Sequence, residues 1–241
     1  MAESETTQPV KFEDENGFGW AVINGKTYLR VTSVLGFAVA NKKLEKWFKK
    51  NSERKVEKIR NDALKMGADL HDIYWRILSG QEPEVPQHYL RYVDSFRNWI
   101  EVSRAKPQLL EHLVWSDRYG IAGTFDYFGE LDGKLVVADW KNARRYDITT
   151  GWQLAAYRIC GIELGIMPDD VGLVGIQIDK VTANVRPFWY QHIDFVTQKF
   201  LCALEIFKGL YFHRINGKID WPYLKREAVS IPQTGGHHVV E

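Results

Sequence analysis

One stretch decides what this 241-residue chain can fold into: Leu135-Val-Val-Ala-Asp139-Trp-Lys141. Side chains alternate along a strand, so Leu135, Val137, Asp139 and Lys141 share one face while Val136, Ala138 and Trp140 occupy the other. A strand apolar on both faces must be covered on both. Upstream, Glu130-Leu-Asp-Gly133 reads as a hairpin turn that returns a strand over 121–129 against 134–141. Downstream, 149–164 reads as a crossover helix, and the apolar run beginning Val171-Gly-Leu-Val-Gly follows it as a buried strand over 171–178. Strand, crossover helix and strand in that order make a parallel pair, so the sheet is mixed.

The flanking segments extend this frame. Asn24-Gly25 supplies the positive backbone angles of a two-residue turn and predicts a hairpin over 18–31. An interrupted basic helix is expected over 33–63, and a separate helix over 65–78 ending at Ser79-Gly80. Tyr89, Leu90, Val93, Phe96, Trp99 and Ile100 recur at helical spacing within 87–104, with Pro107 closing that helix. A strand over 109–115 opens the sheet, 185–190 extends its edge, and 194–215 is a long helix turning Phe195, Phe200, Leu204, Phe207 and Tyr211 inward. The fold class is therefore mixed α/β (α+β), a small mixed central sheet flanked by helices. One domain is expected over 18–232, comprising an N-terminal hairpin and helices (18–106), a core (107–190) and a C-terminal helix (191–232). Residues 1–17 and 233–241 read as flexible.

Composition narrows the function classes. A formal charge of +1 excludes a strongly basic coat protein, yet residues 41–65 carry ten lysines or arginines against four acids. Lys46, Lys49 and Lys50, interleaved with Trp47 and Phe48, form a candidate DNA-contacting helix. A solvated amphipathic face explains the same pattern equally well. Cys160 and Cys202 lack metal-ligand spacing and fit a reducing, cytoplasmic compartment. No signal peptide or membrane span is read, so no membrane partner is expected.

The chemistry lies in Asp126, Asp139 and Lys141. The hairpin folds Asp126 back beside Asp139, where two carboxylates would repel and instead favour a hard divalent cation. An unpaired charge following Val136, Val137 and Ala138 into a sheet is expensive, and metal binding resolves that cost. Lys141 would stand beside the scissile phosphate, although a structural ion pair with one aspartate is the alternative.

A D-x-K triplet alone carries little information, but three further segments accompany it: Gly67-Ala-Asp-Leu-His71, Gln153-Leu-Ala-Ala-Tyr157, and Val31-Thr-Ser-Val-Leu35 ahead of a Trp-containing helix. With Gly123-Thr-Phe-Asp126 and Asp139-Trp-Lys141, this order over residues 27–180 resembles the PD-(D/E)xK nuclease superfamily, in its RecB-like and phage-exonuclease branch. Asn142 departs from the Thr or Ser that many relatives place after the lysine. The resemblance implies a restriction-endonuclease-like core and a metal-dependent DNA nuclease, an exonuclease in preference to a structure- or sequence-specific endonuclease. A non-catalytic DNA-binding component of a larger assembly is the alternative from another class.

The resemblance further implies that His71, Asp126, Asp139 and the Trp140 backbone carbonyl hold one or two Mg2+ or Mn2+ ions, with Glu111 as an additional candidate. By the same resemblance Gln153 and Tyr157 would touch DNA or order the site; Arg144 and Arg145 are candidates to clamp a phosphate because of their own position directly after the Asp139–Lys141 strand. Each has a plainer alternative: a packed histidine, a strand-end glutamate, a core tyrosine with its glutamine, a solvated arginine pair. An iron-sulfur cluster is not expected from two cysteines. The implied partners are DNA and a recombination or replication protein.

Overall fold

The computed structural model describes residues 9–38 and 51–211. Eight strands form one mixed sheet, and five helices accompany it among the described residues. The strands are β1 (Val10–Glu13), β2 (Gly19–Ile23), β3 (Lys26–Arg30), β4 (Lys106–Ser116), β5 (Ile121–Leu131), β6 (Lys134–Asn142), β7 (Gly172–Ile178) and β8 (Val185–Tyr190). The helices are α1 (Val31–Ala38), α2 (Glu53–Leu78), α3 (Leu90–Val102), α4 (Thr149–Glu163) and α5 (Ile193–Tyr211).

The turns follow from local chemistry. Asn24 and Gly25 both have positive φ, 51° and 75°, as do Asp132 and Gly133, 51° and 75°. Two left-handed residues in succession match the twist of the strands they join and close the β2–β3 and β5–β6 hairpins. A β-bulge in β4 between Pro107 and Leu109 lies against Gly129, where a Cβ would meet the Lys106 carbonyl oxygen at 2.3 Å.

The sheet forks at β5. β4 runs antiparallel along β5 from Lys106↔Glu130 to Ser116↔Ile121. Parallel β3 pairs only with its beginning, at Ile121 and Ala122, and antiparallel β6 only with its end, from Tyr127 to Leu131. Residues 123–126 lie between those two pairings. β6 continues the sheet to parallel β7 and then to β8.

Helices cover both faces. α1, α4 and α5 bury Val34, Leu154, Phe200 and Phe207 against Leu29, Phe125 and Val137. On the opposite face α2 and α3 bury Leu70, Tyr74 and Phe96 against Val136, Ala138 and Trp140. The alternation along 135–140 thus feeds two separate apolar clusters. Burying a large side chain is worth about 1.5–3 kcal/mol, so these faces dominate the packing energy.

Several expectations are corrected. Val10–Glu13, assigned to a flexible stretch, is an edge strand paired with β2. α2 runs unbroken through Ala63, Leu64 and Lys65, because three good helix formers offer nothing to stop it. Within 33–63 stand α1, ending at Ala38, and the first part of α2, with an extended Ser52 ahead of Glu53, so the expected interruption is present; residues 39–50 lie outside the description. Pro107 belongs to the bulge of β4, while α3 ends at Val102. Leu90, the first residue of α3, is 43% exposed and Tyr92 is buried in its place. Phe195 faces outward beneath Lys199, whose Nζ lies 4.6 Å from the ring centroid. No helix among the described residues is long and apolar enough to cross a membrane.

Candidate active site

The fork in the sheet builds the site. The β5–β6 ladder ends at Tyr127↔Ala138, and beyond it the Asp126 side chain takes over from backbone pairing: Oδ2 accepts the Trp140 N–H at 2.9 Å. Asp126 is 5% exposed and Asp139 1% exposed. Asp139 is held on two sides. Gln153 Nε2, on α4, donates to Oδ1 at 3.1 Å, and Lys141 Nζ lies 2.6 Å from Oδ2 as a close ion pair without hydrogen-bond alignment.

The support reaches one layer further. Gln153 Nε2 also donates to the Tyr157 hydroxyl at 2.8 Å, one helical turn along α4. The Tyr157 ring rests on Gly123, where any Cβ would meet Cε1 at 2.3 Å. Gly123 is required by this close approach. Gln153 and Tyr157 are both buried, so they order Asp139 from behind.

α2 brings His71 to the same place. Its Nε2 lies 3.2 Å from the Trp140 carbonyl oxygen, and its Nδ1 lies 3.6 Å from Asp126 Oδ1 and 3.7 Å from Glu111 Oε1. Glu111 stands between the ladder pairs Leu110↔Tyr127 and His112↔Phe125, hence opposite Asp126, with φ of 46°. A left-handed glutamate within a strand is strained, a cost often retained at functional sites. Ligand atoms of His71, Glu111 and Asp126 all lie within 4.8 Å of one another. Oxygen donors with one imidazole, beside a second buried carboxylate, are a donor set that could hold a metal ion.

The electrostatics reflect crowded acids. Burial, then the charge of Asp139, raises the Asp126 carboxyl well above the ordinary carboxylate range. For His71, burial alone would lower the imidazole, but Asp126, Glu111 and Asp139 outweigh it and push it up to about 9. Burial likewise opposes the Lys141 ammonium, and the charges of Asp139 and Asp126 hold it above its usual value.

The structure thus brings together His71, Glu111, Asp126, Asp139, Lys141, Gln153, Tyr157 and the Trp140 carbonyl. Arg144 and Arg145 are exposed on the loop after β6 and do not line the cleft. Lys46, Lys49 and Lys50 lie outside the described residues. The cleft, about 210 Å³, extends from the acids to Lys11, Arg30 and Thr32, which sequence reasoning did not single out. Arg30 directly precedes the Val31-Thr-Ser-Val-Leu35 segment and had a signal there; Lys11 lay in a stretch read as flexible.

No protein-family model matches this chain, and no curated protein matches it.

Proposed function

We propose that this protein is a metal-dependent deoxyribonuclease with a restriction-endonuclease-like core, of the PD-(D/E)xK superfamily and its RecB-like, phage-exonuclease branch. The observation that carries this reading is two buried aspartates from adjacent strands beside an ammonium and an imidazole, in a cleft with two further cations. Asp126, Asp139, His71 and Glu111, with the Trp140 carbonyl, would hold Mg2+ or Mn2+. The chemistry such an ion supplies when bound is polarisation of the scissile phosphate and acidification of water.

The remaining work falls to the chain itself. Lys141, paired with Asp139 at the cleft, aids the nucleophile and donates to a phosphoryl oxygen as charge develops there. Gln153, braced by Tyr157, keeps Asp139 in one orientation. Arg30 and Lys11 give the opposite end of the cleft the positive potential that a phosphodiester strand requires.

Exonuclease action is favoured by the resemblance. The test incubates purified protein with linear and covalently closed circular DNA of one sequence. Linear DNA should shorten progressively from its ends with Mg2+ or Mn2+, and an excess of chelator should stop it. Degradation undiminished by chelator defeats the metal-dependent reading; prompt cutting of closed circles replaces exonuclease by endonuclease.

A further inference from the structure

The loop that leaves the catalytic strand is fixed more firmly than a surface connection requires. Gln177, buried on β7 beside Lys141 in the ladder, donates to the Ala143 carbonyl at 2.9 Å. Tyr146 stacks on Phe188 with ring centroids 3.8 Å apart and planes 11° apart, and its hydroxyl bonds to that of Tyr190. That hydroxyl lies over Gly175, the ladder partner of Asp139, and a Cβ at 175 would meet it at 1.7 Å. The Tyr190 ring in turn lies over Gly151 of α4, where a Cβ would meet Cε1 at 2.4 Å. Asp147 Oδ1 then accepts the Thr149 N–H at 2.9 Å and closes the turn into α4.

This braced loop presents Arg144 and Arg145 to solvent, with no acidic partner among the described residues. Arg144 stands three residues beyond Lys141, at most about 10 Å along an extended backbone. Adding the reach of its side chain, that span corresponds to one or two phosphate steps of a polynucleotide strand. Because the backbone that carries these arginines is already ordered, binding costs their side-chain freedom alone, whereas on a loose loop the backbone would have to be ordered as well.

Resting on the nuclease reading above, we infer that residues 143–148 form a preformed clamp for the one or two phosphates beside the scissile one, with Arg144 and Arg145 as its cations and Tyr146 as its positioning residue. The substrate class is then a polynucleotide strand continuing past the cleavage point, and dinucleotides are poor substrates.

The test is a length series of single-stranded oligodeoxynucleotides, from two to eight nucleotides, hydrolysed by the full chain with Mn2+. A parallel arm measures anisotropy binding of the octamer in Ca2+ across a salt series. KM should fall about 10-fold for each nucleotide that reaches the clamp and then level off. In the R144A/R145A double variant the ratio of dinucleotide to octamer KM should collapse toward one, and the slope of log affinity against log salt should flatten by about 1.4, at about 0.7 per phosphate contact on a single strand. R144K/R145K should keep most of the slope. Y146F, which retains the ring stack and deletes the hydroxyl bond, should raise the octamer KM several-fold while its salt slope stays that of the parent. That split distinguishes positioning from charge. An unaltered length ratio and slope in the double variant overturn the clamp. Should the parent bind DNA with an arginine-dependent slope but cleave nothing, the nuclease reading fails and the clamp stands; should it cleave without length dependence, the reverse holds.

Discussion

Asp126→Asn and Asp126→Ala should have different consequences for the metal-free fold. A like-charge pair at contact range is worth about 4 kcal/mol at an effective dielectric of about 20. Lys141 and His71 offset much of the repulsion between Asp126 and Asp139, leaving roughly 1–2 kcal/mol that deleting the Asp126 charge should recover at alkaline pH. Asn retains an oxygen that accepts the Trp140 N–H; Ala leaves this buried donor unpaired, at a cost of about 1–3 kcal/mol. Asn should therefore be more stable than both parent and Ala, with Ala close to the parent or below it. The pH dependence has a defined sign. Because the folded Asp126 carboxyl is raised, the native chain keeps a proton that the unfolded chain releases above about pH 4, so parental stability falls as pH rises from there to the folded value. The advantage of Asn should be absent below that window and largest above it. Urea unfolding in excess chelator from pH 4 to pH 9 reads this directly. The reasoning fails if Asn and Ala have equal midpoints at pH 9, or if Asn is less stable there than the parent. Both variants should lose most turnover, since each removes a proposed ligand.

Three further outcomes follow from named contacts. Lys141→Ala should lower kcat on linear DNA about 100- to 1000-fold, with the fold kept but the metal-free melting temperature lowered because Asp139 loses its buried counter-charge, and parental turnover at saturating substrate would remove Lys141 from the chemistry. Gly123→Ala should displace the Tyr157 ring, destabilise by about 1–3 kcal/mol and lower kcat through Gln153 and Asp139; unchanged melting and turnover would show that the chain of support is not needed. Asp117 accepts from Tyr28 at 2.6 Å and from Lys26 at 3.0 Å, which hold its carboxyl below the ordinary range. Its stabilisation is present above the unfolded value near pH 4 and lost as pH falls through the lower folded one, so Asp117→Asn should cost roughly 0.5–1 kcal/mol at pH 7, discounted for exposure, and nothing at pH 2; an equal cost at both pH values would refute the assignment.

What the sequence disclosed depended on how local the signal was. Paired positive-φ residues at Asn24-Gly25 and Asp132-Gly133 act over two positions, and both hairpins close there. The alternation through 135–141 acts over seven, and the two faces it defines enter two different apolar clusters. β1 had no such signal: all four of its residues are exposed, so neither periodicity nor burial marks Val10–Glu13, and only pairing to β2 makes it a strand. α2 was divided because charges dominate its first half and mask a helix whose apolar residues become buried only from Leu70 onward.

The site shows the same limit more sharply. Asp139 stands out in sequence because a carboxylate follows three apolar residues, and the Asp132-Gly133 hairpin brings Asp126 beside it, but nothing local explains why the Asp126 side chain should take the Trp140 N–H. The reason is non-local: β3 pairs with the first two residues of β5 across a separation of 92 positions, Leu29 with Ile121, while β6 takes only the far end. Had β6 paired along the whole of β5, the Trp140 N–H would have met a backbone carbonyl, and Asp126 would have lost its anchoring donor. Gly123 occupies the same gap, and its missing side chain admits Tyr157, which holds Gln153 against Asp139. Because one break in the ladder serves both aspartates, a substitution that merely re-registers β5 and β6 should disarm the site as completely as removing either carboxylate.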